Sequence, residues 1–341
     1  MKHTLLIVAI FIVKISFAQT NYLIGQKSIK YVDQSRKRPL LTEIWYPTNL
    51  APKRQIIKKN SKALFKPLNT TKDAPLAKGN FPLLLMSHGT GGNRFSLTWM
   101  IEKLVEQGYI VVSLDHYGNN TFHKLPREFV KWWERAIDIQ FVLTQMLQDP
   151  TFGNQIDQKR IGGVGFSLGG YTNIALAGGY VDRAHHTGEK GREMPPEFPK
   201  TDEKIDFDTD THIVNSYKKY KDKVKDERIK AFFVMAPAIG FGFHSPKQTK
   251  EITAPILIVA GRGDTNTPIK GNAQVYHRLI STSTLHLLGN KVNHYIFLNE
   301  ATPFGKKVAP AITIDLPGVD RNAIHGQVSQ MAIDFFAKHL K

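Results

Sequence analysis

The chain has 341 residues, no cysteine, 41% hydrophobic residues and a formal charge of +17 at pH 7. This length supports the core of one large domain, and the lack of cysteine excludes disulfides, a thiol nucleophile and a lipoprotein anchor. The basic balance is compatible with peripheral association with anionic envelope surfaces, but the lysines are scattered and many alternate with Asp or Glu, which favours an ordinary solvated surface. No basic stripe among aromatics indicates a nucleic-acid partner.

The N-terminus has the pattern of a secretory signal peptide. A lysine precedes an apolar stretch from Leu5 to Val13, and Ser16 and Ala18 are the small residues that a cleavage site after Ala18 requires. The apolar stretch is short for a membrane span, which favours cleavage over an uncleaved anchor. We therefore expect residues 1–18 to direct export to a bacterial periplasm or medium, and residues 19–341 to form a single domain.

The rest of the chain predicts an α/β fold. Residues 22–48 are typical of an edge hairpin, and residues 50–80 of a surface loop. From Phe81 onward, apolar strands alternate with helices, which indicates a mainly parallel sheet with helices on both faces. The predicted strands cover 82–87, 109–114, 160–166, 230–236, 255–260 and 284–288, and the predicted helices cover 95–107, 127–148, 168–176, 269–279 and 320–340.

Residues 180–229 interrupt this alternation and are rich in charge and proline. Within them Ile213, Tyr217, Tyr220 and Val224 recur at the spacing of an amphipathic helix. Two interpretations stay open for this partly helical insertion. It is either a lid over a catalytic site or a peripheral insertion that packs elsewhere.

A nucleophile motif follows the strand at 160–166. Gly165-Phe-Ser-Leu-Gly169 matches G-x-S-x-G, in which a sharp turn between a strand and a helix exposes the serine hydroxyl at the end of a sheet. The apolar run before the motif and the helical pattern after it supply the required context. Ser167 is therefore the candidate nucleophile, the alternative being a glycine-rich turn without catalysis.

A serine nucleophile needs a base and a group that orients the base, and in this fold the acid and then the histidine follow the serine in the chain. Asp264 follows a buried strand and is the candidate acid; the alternative is a turn or helix cap. His294 lies in the loop after the last predicted strand and is the candidate base. His325 lies inside the C-terminal helix, where a structural role is expected, and His286 lies within a strand.

The negative oxygen of a tetrahedral intermediate needs fixed N–H donors. We expect one from the backbone of Leu168, directly after the nucleophile, and one from Thr90 in the loop that follows strand 82–87. For His88, in the same loop, we expect a structural role in bracing the loop.

These residues together resemble the α/β-hydrolase superfamily, and more narrowly the bacterial proteins called predicted dienelactone hydrolases, which are related to platelet-activating-factor acetylhydrolase. The matching segments are Asp33–Leu40, Trp45–Pro47, Ser87–Gly89, Asp115–His116, Arg135–Leu143, Gly165–Gly169, Gly261–Asp264, His294–Leu298 and Asp320–His325. In that family the histidine of the H-x-x-F-L stretch is the base, which supports His294. Dienelactone hydrolases use a cysteine nucleophile, and this chain has no cysteine. The resemblance therefore implies a serine esterase. Segment 180–229 departs from the family pattern.

The sequence therefore predicts a secreted serine carboxylic-ester hydrolase that acts through an acyl-enzyme on a small-molecule or lipid-like ester. No metal or organic cofactor is expected, because no ligand spacing or dinucleotide loop is present. Two alternatives stay open: an amidase or peptidase with the same triad, and a hydrolase-fold binding protein without catalysis. The sequence leaves the acyl and alcohol groups and the oligomeric state undetermined.

Overall fold

A computed structural model describes residues 21–52, 62–182, 197–203 and 205–341. The predicted signal peptide lies outside these ranges, as does part of segment 180–229. In the described residues a sheet of nine strands has the order β3-β1-β2-β5-β4-β6-β7-β8-β9. The strands are β1 Leu23–Asp33, β2 Arg38–Thr48, β3 Thr71–Lys72, β4 Phe81–Ser87, β5 Ile110–Leu114, β6 Ile156–Phe166, β7 Ala231–Met235, β8 Ile256–Gly261 and β9 Ser283–Leu288.

Most of this sheet is parallel. Strands β4 to β9 pair in parallel with one another, whereas β2 pairs antiparallel with both β1 and β5. Strands β1 and β2 form a hairpin, and the two-residue strand β3 pairs with its outer side. The predicted α/β class with a mainly parallel sheet is confirmed.

Helices cover both faces of the sheet. The α-helices are α1 Thr98–Glu106, α2 Pro126–Phe129, α3 Glu134–Gln148, α4 Leu168–Leu176, α5 Thr211–Tyr220, α6 Ala273–Leu279, α7 Pro303–Val308, α8 Pro310–Thr313 and α9 Arg321–His339. Short 3₁₀ turns cover Gly153–Gln155, Gly240–Gly242, Pro246–Thr249, Ile269–Gly271 and His294–Phe297.

Alternation along β4 separates the core into two layers. Leu83 and Leu85 pack with α3, α4 and α6 on one face, and Leu84 and Met86 pack with α1 and α9 on the other. All four side chains are buried, as the continuous apolar sequence of a parallel strand requires. The carboxyl ends of β4, β6 and β8 thus lie at one edge of a sheet that is covered on both faces.

The prediction of one continuous helix over 127–148 was wrong. The chain forms α2, then a turn, then α3. In the turn Lys131 N–H donates to the Glu128 carbonyl at 3.2 Å and Glu134 N–H to the Lys131 carbonyl at 3.0 Å. These bonds span three residues rather than four, so the turn is tighter than an α-helix. Packing of Phe129 and Trp133 against the inserted segment overrides the local helical preference.

The described part of segment 180–229 contacts this turn. Trp133 Nε1 donates to Ser216 Oγ at 2.8 Å, and Arg127 pairs with Asp210 at 2.8 Å. The predicted amphipathic helix is present as α5 but ends at Tyr220, so the expected extent was too long.

Within the ranges that the structure covers, no helix combines the length and the apolar character needed to cross a lipid bilayer.

Substitution of Phe336 would test the packing of the core layer between α9 and the sheet. Its ring is fully buried and lies 6.4 Å from the ring of Phe233 and 6.2 Å from that of Tyr109. We expect Phe336→Ala to lower the free energy of unfolding by about 3–5 kcal/mol, because it leaves a cavity in a packed interior. Urea unfolding would measure this, with the exposed Gln327→Ala as control. Equal stability of the two variants would contradict the packing described.

Candidate active site

Ser167 lies at the turn between β6 and α4 with φ 55° and ψ −119°. This left-handed conformation is strained for a residue with a side chain and is held by its surroundings. Its backbone N–H donates to the Met235 carbonyl at 2.9 Å, and its carbonyl accepts from Ala238 at 3.0 Å. Position 169 has to be a glycine, because a Cβ at Gly169 would overlap the Ser87 carbonyl. The predicted turn thus presents the Ser167 side chain at the edge of the sheet.

The three predicted residues Ser167, His294 and Asp264 lie in one hydrogen-bonded row. His294 Nε2 lies 3.0 Å from Ser167 Oγ, and His294 Nδ1 lies 2.7 Å from Asp264 Oδ2. All three residues are at least 94% buried, so little water competes for these contacts. If His294 Nδ1 donates to the carboxylate, Nε2 is free to accept the Ser167 hydroxyl proton.

Asp264 is held as a carboxylate by its own loop. Its Oδ1 accepts the backbone N–H groups of Asn266 at 2.9 Å and Thr267 at 2.8 Å. Burial alone would raise the pKa of Asp264, but the hydrogen bonds from His294 and Thr267 outweigh burial and hold that pKa below its ordinary value. The group facing His294 is therefore anionic at neutral pH.

Thr267 is a site residue that the sequence reasoning missed. Its hydroxyl donates to Asp264 Oδ2 at 2.8 Å and lies 3.2 Å from His294 Nδ1. It fixes the rotamer of the carboxylate that orients the histidine. The loop turn after Asp264 is visible in the sequence, but no local signal shows that this hydroxyl folds back on the carboxylate.

The predicted oxyanion donors line the same cleft as the candidate nucleophile. Leu168 is the first residue of α4, where backbone N–H groups have no partner within the helix. Thr90 lies in the loop after β4, and both residues line the same cleft as Ser167 and His294. The loop is fixed beyond Thr90, where Gly91 N–H donates to Asn119 Oδ1 at 3.1 Å.

The other histidines lie elsewhere. His325 Nε2 donates to the Ile296 carbonyl at 2.7 Å, and its ring stacks on Trp99 at 3.9 Å, in a structural arrangement. His286 lies in β9, and His88 Nδ1 donates to the Gly89 carbonyl at 2.7 Å in the bracing position expected for it.

The cleft at Ser167 has a volume of about 1550 Å³. One wall comes from the turn between α2 and α3 and from segment 180–229, whose Val181, Phe207 and Tyr217 line it. This volume exceeds the roughly 300–1,000 Å³ of ordinary small-ligand sites, so the cleft has room for a bulky substrate.

The chain is similar to curated proteins and to solved structures, whereas no family model matches it. Cutinase est1 of Thermobifida alba is 24% identical over 241 residues, which cover 70% of this chain and 57% of that protein. Lipase 1 of Moraxella sp. (strain TA144) is 30% identical over 82 residues, which cover 24% of this chain and 23% of that protein. The chain thus spans less than two thirds of the length of both curated relatives.

Among solved structures, a ferulic acid esterase from Streptomyces cinnamoneus superposes with a TM-score of 0.62 at 20% identity, over 95% of this chain and 92% of that chain. This likeness shows the fold, which is that of the α/β-hydrolases. The narrower resemblance to predicted dienelactone hydrolases stays a prediction.

Acidification tests the environment of Asp264. Because its folded-state pKa is lowered, the carboxylate contributes stability that is full above the unfolded pKa of about 3.9 and is lost as pH falls through the lower folded value. We expect the stability difference between wild type and Asp264→Asn to be largest near neutral pH and to shrink below about pH 4. Urea unfolding at several pH values measures this difference, with the exposed Asp334→Asn as control. A difference that stays constant on acidification would refute the assignment.

Proposed function

We propose that this protein is a serine carboxylic-ester hydrolase that works through an acyl-enzyme. The observation that carries the proposal is the row Ser167, His294 and Asp264, with contacts of 3.0 and 2.7 Å, at a cleft open to substrate. The relatives named cutinase, lipase and ferulic acid esterase support ester hydrolysis.

The reaction follows from the geometry. Ser167 Oγ attacks the ester carbonyl while His294 Nε2 takes its proton, and the carbonyl oxygen becomes an oxyanion bound by the N–H groups of Thr90 and Leu168. His294 then gives the proton to the departing alcohol, which leaves the acyl group on Ser167. A water molecule, deprotonated by His294, then attacks the acyl carbon, and His294 returns the proton to Ser167 Oγ as the acid is released. Asp264 fixes the imidazole tautomer and stabilises the imidazolium in both halves.

The cleft supports an ester with a bulky apolar part. Its wall beside Ser167 carries aromatic side chains, among them Phe129, Trp132 and Phe241. Burial of apolar groups against such a wall contributes about 25 cal/mol per Å². We therefore propose a lipid-like or other large ester as substrate, with segment 180–229 forming part of its binding site.

The proposed triad is tested with p-nitrophenyl esters from acetate to decanoate. We expect Ser167→Ala and His294→Ala each to lower kcat by at least about 10⁴-fold. His325→Gln keeps most of the activity, because its amide can still donate to the Ile296 carbonyl. A fluorophosphonate probe should label wild type at Ser167 and leave Ser167→Ala unlabelled. Full activity of His294→Ala would disprove the assigned base.

We also propose that the protein is exported after cleavage behind Ala18, on the strength of the signal pattern in residues 1–18. N-terminal sequencing of protein secreted by an expressing bacterium should begin at Gln19. Ala18→Arg should block processing, because the cleavage site requires a small residue, while Gln19→Ala should be processed normally. An unprocessed wild type retained in the cell would reject the proposal.

A further inference from the structure

A second row of serine, histidine and aspartate lies inside the protein. Ser87 Oγ lies 2.9 Å from His116 Nε2, and His116 Nδ1 lies 3.1 Å from Asp138 Oδ2. Each of these residues has 0% exposure, and none lines the cleft. No substrate reaches Ser87, so this row serves another purpose than nucleophilic attack.

Each hydrogen-bond donor in this interior row faces an acceptor, and this fixes which ring nitrogen of each histidine carries the hydrogen. His116 Nδ1–H donates to the Asp138 carboxylate, so His116 Nε2 accepts the Ser87 hydroxyl proton. The backbone N–H of His116 donates to His88 Nε2 at 3.3 Å, so His88 donates from Nδ1 to the Gly89 carbonyl. Burial, followed by the charge of Arg135, lowers the pKa of His116 to about 3 and keeps the ring neutral. Both rings therefore have one donor and one acceptor nitrogen, as their contacts require.

Arg135 joins this row to the loop that carries Thr90. Its Nη2 donates to the His88 carbonyl and, at 3.3 Å, to Ser87 Oγ. The side chain is fully buried, and in the part of the chain that is described its Nε and Nη1 make no hydrogen bond. Burial lowers the pKa of Arg135 to about 9, so it is cationic at neutral pH. Burying a partly unsatisfied cation is costly, and the side-chain hydrogen bonds that Arg135 does make go to Ser87 at the end of β4 and to His88 at the start of the loop.

The far end of the row is anchored in the hairpin. Asp138 Oδ1 pairs with Arg36 Nη1 at 2.9 Å and with Arg38 Nε at 3.0 Å. Arg38 also pairs with Glu134 at 2.5 Å. The β1–β2 turn, α3 and the loop after β4 are thus joined through one buried network of charged and polar groups.

This network lies directly behind the proposed oxyanion hole. Ser87 and His88 precede Thr90 in the chain, and the Ser87 carbonyl touches Gly169 in the first turn of α4, next to Leu168. We propose that Arg135, together with Ser87, His116 and Asp138, positions the Thr90 N–H relative to the Leu168 N–H. The inference rests on the proposed ester hydrolysis and assigns Arg135 as a positioning residue, since it touches no substrate.

The test compares kinetics and transition-state binding in Arg135→Met. We expect kcat for p-nitrophenyl butyrate to fall by about 100-fold with KM changed by less than about threefold, because a displaced donor acts mainly in the transition state. The inhibition constant of a trifluoromethyl ketone, whose adduct carries an oxyanion, should rise by the factor lost in kcat/KM. Binding of the product butyrate should be unchanged. Arg135→Lys keeps a cation that can donate to the His88 carbonyl and should recover part of the loss.

Arg228→Met is the matched control. Arg228 also pairs with a carboxylate, Asp226, at 2.6 Å and donates to a backbone carbonyl, that of Gln140, at 3.1 Å. It touches neither the loop nor the cleft, so we expect lower stability with unchanged kcat and inhibition constant. Ser87→Ala removes the hydroxyl between His116 and Arg135 and should show a smaller loss in the same direction as Arg135→Met.

The outcomes separate the two proposals. If wild type is active and the Arg135 and Ser87 variants lose only stability, as Arg228→Met does, the positioning role is overturned and the ester hydrolase stands. If Arg135→Met fails to fold, Arg135→Lys and Ser87→Ala decide by the same readouts. If wild type hydrolyses no ester and resists the fluorophosphonate probe, both proposals are overturned.

Discussion

The close approach of β4 to the first turn of α4 is the constraint on which the site depends. Gly169 has no side chain, and the Ser87 carbonyl occupies the space where a Cβ would lie. The loop after β4 and the start of α4 both line the cleft, and they carry the two candidate oxyanion donors, Thr90 and Leu168. Ser167, two residues before Gly169, takes a positive φ in the sharp turn that leads into α4. The close contact thus brings together the segments that carry the candidate nucleophile and both candidate oxyanion donors.

Buried charged groups also contact the loop after β4. Burying ionised groups costs several kcal/mol each unless their partners are close and well oriented. Here Asp138 has two arginines and a histidine around it, whereas Arg135 has most of its donors unused. The paired charges around Asp138 contribute a fixed frame, and Arg135 makes its side-chain hydrogen bonds to the His88 carbonyl and to Ser87 Oγ. Surface pairs such as Lys66–Glu300 are solvated and constrain the fold far less.

The sequence was most informative where neighbours in the chain determine the structure. The strand, turn and helix around Ser167 follow from consecutive residues, and the strand and helix pattern indicated the sheet. Asp264 and His294 were identified from their places after β8 and β9, which a parallel sheet brings to one edge. Local patterns failed at the turn between α2 and α3, where contacts with segment 180–229 decide the backbone. They could not reveal the Thr267 hydroxyl or the Arg135 network, because those depend on side-chain directions between distant segments.

The two rows of serine, histidine and aspartate show why residue identity alone does not define an active site. Their contacts are similar: 3.0 and 2.7 Å at Ser167, and 2.9 and 3.1 Å at Ser87. The difference lies in access, since Ser167 lines the cleft and Ser87 lies wholly in the interior. A hydroxyl that no carbonyl carbon can approach has only a structural use, however well a base is placed beside it. In this fold, the same hydrogen-bond chemistry therefore serves both the proposed nucleophile at the edge of the sheet and the proposed support for it one strand away.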